Sequence, residues 1–303
     1  MKLIIDTDPG VDDALAIALA HAMPQVELVA LTAIFGNTFV EQSSRNARFL
    51  LDLLKAEGVP VAEGAKLPYG ATTYEPSAWV HGDEGYGDIA EIPQIGANSP
   101  ETAAELLAKL CREAPGEITV CAIGPLTNIA DALRQDASFA NNIKELVIMG
   151  GAFECDGNIT PHAEANIYHD AIAADEVFAS GAPIRMVGLD ATMKTLLTLD
   201  DFADMAKAAP VAGGFVDRIS QFYLGFYRSV GVTNGCPMHD STAVLACAFP
   251  EKFTWKESGI AVIQTGDSIG DTIAANRPVT QVAMDVEAEW AVSFVKDAVA
   301  TLN

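Results

Sequence analysis

An apolar triplet, Leu3-Ile4-Ile5, runs directly into Asp6-Thr7-Asp8-Pro9-Gly10-Val11-Asp12-Asp13 and from there into Ala14-Leu15-Ala16-Ile17-Ala18-Leu19-Ala20. The triplet reads as a buried strand, Pro9-Gly10 as a turn and the alanine-rich stretch as a helix. A chain that opens this way crowds four carboxylates between the end of a strand and the start of a helix, where open α/β sheets hold their ligands. A helix N-terminus favours one negative charge, but four carboxylates this close repel one another unless protons or a cation intervene. The pattern therefore points to a hard-cation site. Helix capping accounts for Asp12 or Asp13 taken singly. It does not account for Asp6 and Asp8, which alternate along the strand and so share a face. An EF-hand loop fits poorly, because its sixth and twelfth positions need Gly and Glu and here hold Val11 and Ile17.

Strand-like runs then alternate with helical patterns. Val26 to Phe35, Ile118 to Ile123, Leu146 to Met149 and Ile184 to Leu189 read as strands. Val40 to Glu57, Thr127 to Leu133 and Ala171 to Ala179 read as the helices between them, and Trp290 to Val299 as a closing helix. Ile260 to Gln264 and Val279 to Val286 read as a strand pair near an edge. The rhythm predicts a mainly parallel, Rossmann-like central sheet flanked by helices on both faces. With 303 residues, 50% of them hydrophobic, and no repeat or linker, the expectation is a single domain spanning 1–303. Residues 64–100, rich in Gly, Pro and acidic side chains, break the rhythm, and a loop of that length in a compact domain is usually functional or disordered. Gly82, Gly85 and Gly87 within it suggest a loop able to move.

The charge balance narrows the partners. Lys and Arg number 18 against 41 Asp and Glu, a net charge of −23 that argues against nucleic-acid backbones and anionic membranes and suits a neutral ligand or a metal. Five scattered cysteines with no C-x-x-C pair indicate neither a disulfide framework nor a thiolate zinc site, and together with the lack of a signal-like or membrane-spanning apolar run they suggest a cytoplasmic protein.

Two further segments carry chemistry. His239-Asp240 opens the apolar stretch Thr242 to Ala248, repeating the carboxylate-at-a-helix-start arrangement with an imidazole beside it. Gly157 to Asn166 supplies two amides and the carboxylate of Glu164 with no Lys or Arg, a set suited to the hydroxyls of a neutral sugar. A polar loop capping its own backbone is the alternative for that segment. There is no P-loop, no G-x-G-x-x-G, no G-x-S-x-G and no H-E-x-x-H.

Taken together, Asp6-Thr7-Asp8-Pro9-Gly10-Val11-Asp12-Asp13, Gly36-Asn37, Gly124-Pro125-Leu126-Thr127-Asn128, Met149-Gly150-Gly151, Asn158 with Glu164-Ala165-Asn166, and Met238-His239-Asp240 resemble the inosine-uridine nucleoside hydrolase family, in order and from end to end. The resemblance implies hydrolysis of the N-glycosidic bond of ribonucleosides, with one Ca²⁺ per subunit. By position it implies that Asp8, Asp13 and Asp240 ligate the ion with the backbone carbonyl of Ile123, and that Asp6 supports them from behind. Asp12, Asn158, Glu164 and Asn166 match residues that bind ribose hydroxyls, Asn37 and Met149 match neighbouring pocket positions, and His81, His239 and Tyr227 match positions near the base. Asp8 is then the general base toward a water at the metal, and His239 the donor to the leaving base. The partner implied is a small-molecule ribonucleoside of the uridine or inosine type, with pyrimidine-only selectivity as the alternative. Relatives form homodimers or homotetramers. Two rivals from other classes are a non-catalytic nucleoside- or ribose-binding protein on the same scaffold and a haloacid dehalogenase-type phosphatase, whose D-x-D motif Asp6-Thr7-Asp8 superficially matches; Gly10 stands where that family continues toward Thr or Val.

Overall fold

Strand β1, Lys2–Thr7, is the seed of the fold: five of its six residues are buried, and its alternation sends Leu3 and Ile5 into one core and Ile4 into another. The computed structural model describes residues 1–302. β1 pairs in parallel with β2, Glu27–Ala33, on one side and on the other with the strand Ile118–Ala122, in a register that sets Ile4 opposite Ala30 and Val120. The three-residue strand Val61–Glu63 is β3 and Ile118–Ala122 is β4. They are followed by β5, Glu145–Met149, β6, Ile184–Val187, a short separate pair β7, Leu196–Leu197, with β8, Cys236–Pro237, and the hairpin β9, Phe253–Val262, and β10, Thr272–Val286. The main sheet runs β3-β2-β1-β4-β5-β6-β10-β9, with every neighbour parallel except the β10–β9 pair.

Helices cover both faces, as a parallel sheet requires. Val11–Ala22, Val40–Leu53, Ala212–Ser229, His239–Ala248 and Ala288–Val299 pack on the face of Leu3 and Ile5, while Ala103–Glu113, Thr127–Gln135 and Ala171–Ala179 pack on the face of Ile4. Strand order reverses between β1 and β4, so the crevice beyond their carboxyl ends is the topological switch point where such sheets bind ligands.

The mainly parallel α/β architecture agrees with the sequence expectation, and several boundaries differ. The helix expected over Val40 to Glu57 stops at Leu53, because Lys55 takes a left-handed conformation with φ of 56°. The chain then turns through Val59-Pro60 into β3, an edge strand too short to show a period of two. The helix Ala103–Glu113 went unassigned despite a Thr102–Glu105 capping box. The expected edge pair is present but longer, with β10 inserted between β6 and β9. Residues 64–100 are largely irregular, as expected, apart from the single turn of helix Ala78–His81, and the irregular stretch continues to residue 102. The glycines there shape a tight corner: Gly82 has φ of 83°, and a Cβ on it would lie 1.8 Å from the carbonyl oxygen of Gly87.

Candidate active site

The chain leaves β1 at Thr7 and begins the helix Val11–Ala22 four residues later, and that short turn gathers the acids. Asp13, at the third helical position, caps the helix through Oδ2, which accepts from Gly10 N at 2.9 Å and from Asn37 Nδ2 at 3.0 Å. Its Oδ1 accepts from Thr7 Oγ1 at 2.6 Å and Asp8 N at 3.2 Å. Asp8 Oδ2 accepts from Asn37 N at 2.6 Å, while Asp8 Oδ1 is buried with no donor among the described residues. Asp12 is alike, with Oδ2 accepting from Tyr223 Oη at 3.1 Å and Oδ1 buried without a partner.

Asp240 arrives from across the crevice at the start of the helix His239–Ala248. Carboxylate oxygens of Asp12, Asp13 and Asp240 lie within 4.8 Å of one another, and Asp8 sits close enough to add to the repulsion. Burial, reinforced by the neighbouring carboxylates, pushes Asp8 and Asp240 well above the usual carboxylate range and Asp12 up to about 8. Burial raises Asp13 as well, against the hydrogen bonds that pull it down. Oxygen-only donors, buried, mutually repelling and in part without hydrogen-bond donors, are what a hard dication neutralises, so the donor set fits a metal of that class. Asp6 likewise has one buried oxygen, Oδ2, without a donor among the described residues, but it does not line the cavity, and its Oδ1 accepts from Thr32 Oγ1 and Asn128 Nδ2 at 2.5 and 2.8 Å, tying β1 to β2 and to the helix that follows β4.

Above the acids lies a cavity with about 330 Å³ of free space, lined by Asp12, Asn37, His81, Ile123, Met149, Asn158, Glu164, Asn166, Tyr223, Tyr227, His239 and Asp240 among others. The segment after β5 does cap its own backbone. Glu164 receives Asn166 N at Oε1 and both Gly151 N and Ile167 N at Oε2, and Asn158 Oδ1 receives Ala165 N. Asn166 Nδ2 donates to the carbonyls of Ile123 at 3.0 Å and Met149 at 3.2 Å. Capping and cavity lining coexist, since each side chain holds the loop while facing the crevice.

The two histidines are buried and neutral. Val11 N donates to His81 Nδ1, so the proton of that ring resides on Nε2. Burial pushes His81 down to about 3, so its 3.8 Å approach to Asp12 Oδ1 is no ion pair at neutral pH. His239 is pushed down to about 4 by burial, with Nδ1 at 2.7 Å from Thr192 Oγ1 and Nε2 at 2.8 Å from Tyr227 Oη. Tyr227 stands 3.5 Å from Tyr223 Oη, which donates to Asp12. A line of hydroxyls and imidazole therefore runs from Asp12 through Tyr223 and Tyr227 to His239 and Thr192. Tyr223 and Thr192 escaped the sequence reading. The spacing of Tyr223 from Tyr227, one helical turn, was an available signal; nothing local marks Thr192.

A buried, metal-competent acid cluster under a cavity lined with amides, carboxylates and neutral imidazoles, at the switch point of a parallel sheet, suits a small polar ligand rather than a phosphate or a nucleic acid. The family model for inosine-uridine preferring nucleoside hydrolases matches residues 3–293, and the chain belongs to that family of N-glycosyl hydrolases. It is 39% identical over 272 residues to uridine nucleosidase 1 of Arabidopsis thaliana, covering 90% of this chain and 81% of that one. It is 36% identical over 306 residues to the non-specific ribonucleoside hydrolase RihC of Klebsiella pneumoniae, covering 97% and 98%. The structure of a purine-preferring ribonucleoside hydrolase from Gardnerella vaginalis superposes with a TM-score of 0.96 at 34% identity, covering 100% of this chain and 99% of that one.

Proposed function

We propose that this chain is a calcium-dependent ribonucleoside hydrolase that splits the N-glycosidic bond of uridine and inosine to ribose and free base, residues 1–303 acting as one hydrolase domain. The observation that carries the reading is the pair of buried carboxylate oxygens, Asp8 Oδ1 and Asp12 Oδ1, left without donors at the floor of the cavity. Asp8, Asp13, Asp240 and the carbonyl of Ile123 would hold the Ca²⁺, which when bound supplies Lewis-acid polarisation to the attacking water and the ribose diol.

The protein's own groups do the rest. Asn37 N fixes Asp8 Oδ2, which leaves Oδ1 to take the proton of the attacking water. Asp12, Asn158, Glu164 and Asn166 receive the ribose hydroxyls, and the surrounding carboxylates favour the positive charge that develops on the sugar as the base departs. Because burial keeps His239 neutral, the proton for the leaving base comes from an N–H or O–H along Thr192, His239 and Tyr227 rather than from an imidazolium. Relatives named for uridine, for purines and for no preference match this chain comparably, which supports acceptance of both base classes. We further take the enzyme to be a cytoplasmic homo-oligomer, dimer or tetramer. Four of its five free cysteines are buried, as suits a reducing compartment, and light scattering would give the copy number.

Ribose release from a panel of nucleosides with added Ca²⁺ tests the activity, and turnover of neither uridine nor inosine would sink it. Asp8→Ala should lower kcat by about 10²- to 10⁴-fold while a non-reacting ribose analogue still binds. A loss below tenfold would remove Asp8 as the base, whereas a wild type that binds a ribose analogue but releases no ribose would leave the binding-protein alternative standing.

A further inference from the structure

Tyr74 lies in the irregular segment between β3 and the helix Ala78–His81, outside the set of residues assigned to the reaction so far. Its half-buried ring meets Phe35 edge-on at 4.7 Å between centroids and His169 at 5.5 Å. Its hydroxyl is 2.8 Å from the carbonyl of Gly36 and is also hydrogen-bonded to His169 Nδ1. Elementary chemistry orients both bonds. A carbonyl only accepts, so Tyr74 O–H donates to Gly36, and His169 Nδ1–H must then donate to the Tyr74 oxygen. Burial keeps both groups neutral, raising Tyr74 and lowering His169 to about 4.

The two ends of this chain of bonds adjoin two separate segments that line the cavity, one through Asn37 and the other through Glu164 and Asn166. Gly36 opens the turn whose next residue, Asn37, holds Asp8 Oδ2 through its N–H and Asp13 Oδ2 through its amide. That turn is pressed so closely on the acid that a Cβ on Gly36 would lie 1.9 Å from Asp8 Oδ2. His169 ends the helix Ala165–His169, which is capped by Glu164 and carries Asn166. We propose that Tyr74 is a positioning residue for the hydrolytic step: its hydroxyl ties the loop that receives the ribose hydroxyls to the turn that fixes Asp8. With the sugar loop in place, Asp8 is held in its working orientation. The inference rests on the reading of Asp8 as general base.

Tyr74→Phe keeps the ring and deletes only the O–H. Through Asp8 alone, its loss should lower kcat about tenfold, equally for uridine, inosine and an activated nitrophenyl riboside, with KM within about threefold of wild type. Combining it with His169→Ala should cost little more than either change alone, because both break one chain of bonds. A rise in KM at unchanged kcat, a loss confined to nucleosides with poor leaving bases, or additive losses would each mark mere packing and overturn the proposal. Should Tyr74→Phe not fold, His169→Ala by itself must show the same kcat-weighted, leaving-group-independent loss, or the proposal fails. A wild-type enzyme that releases no ribose from any of these substrates defeats the hydrolase reading itself and the inference with it. An active wild type with an unaltered Tyr74→Phe defeats the inference alone.

Discussion

At the scale of single residues, the site works by giving one oxygen of a carboxylate to the protein and keeping the other free. Asp8 and Asp12 each have one oxygen held, by Asn37 N and Tyr223 Oη respectively, and one bare. The hold on Asp8 depends on the absence of a side chain at Gly36. Gly36→Ala should force the carboxylate off Asn37 N, lowering kcat by about a hundredfold with the circular dichroism spectrum unchanged. Near-normal kcat in that variant would mean that the turn and the acid are not rigidly coupled. Asp13 and Asp240 could be picked out from the sequence because each begins a helix after an apolar strand or turn. The partners of His239 and Asp6 could not be picked out in that way: Thr192 approaches His239 across 47 residues and Asn128 approaches Asp6 across 122.

At the scale of elements, side chains far from the cavity lock the helices to the sheet. Asp175, on the helix Ala171–Ala179, accepts from Val262 N at 2.8 Å, Gln264 Nε2 at 2.7 Å and both terminal nitrogens of Arg277, at 2.6 and 3.1 Å. Burial pushes its carboxyl up, but Arg277 and these donors outweigh burial and leave its pKa below the ordinary value. A depressed pKa in the folded state gives stability that is complete above the unfolded value of about 4 and is lost as pH falls through the folded one. The midpoint of urea unfolding should accordingly drop below pH 4, and Arg277→Gln, costing on the order of 2 kcal/mol at pH 7, should flatten that drop. Equal acid sensitivity in wild type and variant would show that Asp175 does not carry it. The periodicity of two or 3.6 exposed the longer elements of this scaffold. It could not expose β3, three residues long, nor the early end of the helix Val40–Leu53, which a single left-handed residue sets.

At the scale of the whole molecule, a net charge of −23 adds a general repulsion to the local one among Asp8, Asp12, Asp13 and Asp240. A dication in the cluster should therefore act as a structural counter-charge as well as a catalytic one. If Ca²⁺ is that dication, then at a hundred times its dissociation constant it would stabilise the fold by about 2.7 kcal/mol. Chelation should lower Tm by roughly 5 °C and abolish ribose release, with both restored by Ca²⁺. Unchanged Tm and activity after exhaustive chelation would show that protons neutralise the acids. No helix among the described residues is long and apolar enough to cross a membrane.

The alternation of strand and helix, the mainly parallel sheet, the crowding of acids after the first strand and the family resemblance are all legible in the amino-acid order. These reside in local patterning, where hydrophobic period and turn chemistry act over a few residues. The folded chain alone reveals which acid oxygens stay bare, that burial holds His81 and His239 neutral, that Tyr223 and Tyr227 link Asp12 to His239, and that Tyr74 ties Gly36 to His169. Those properties arise from burial and from hydrogen bonds that, apart from the one-turn Tyr223–Tyr227 step, join residues 12 to 211 positions apart, and no local pattern encodes which distant donor reaches a given oxygen first.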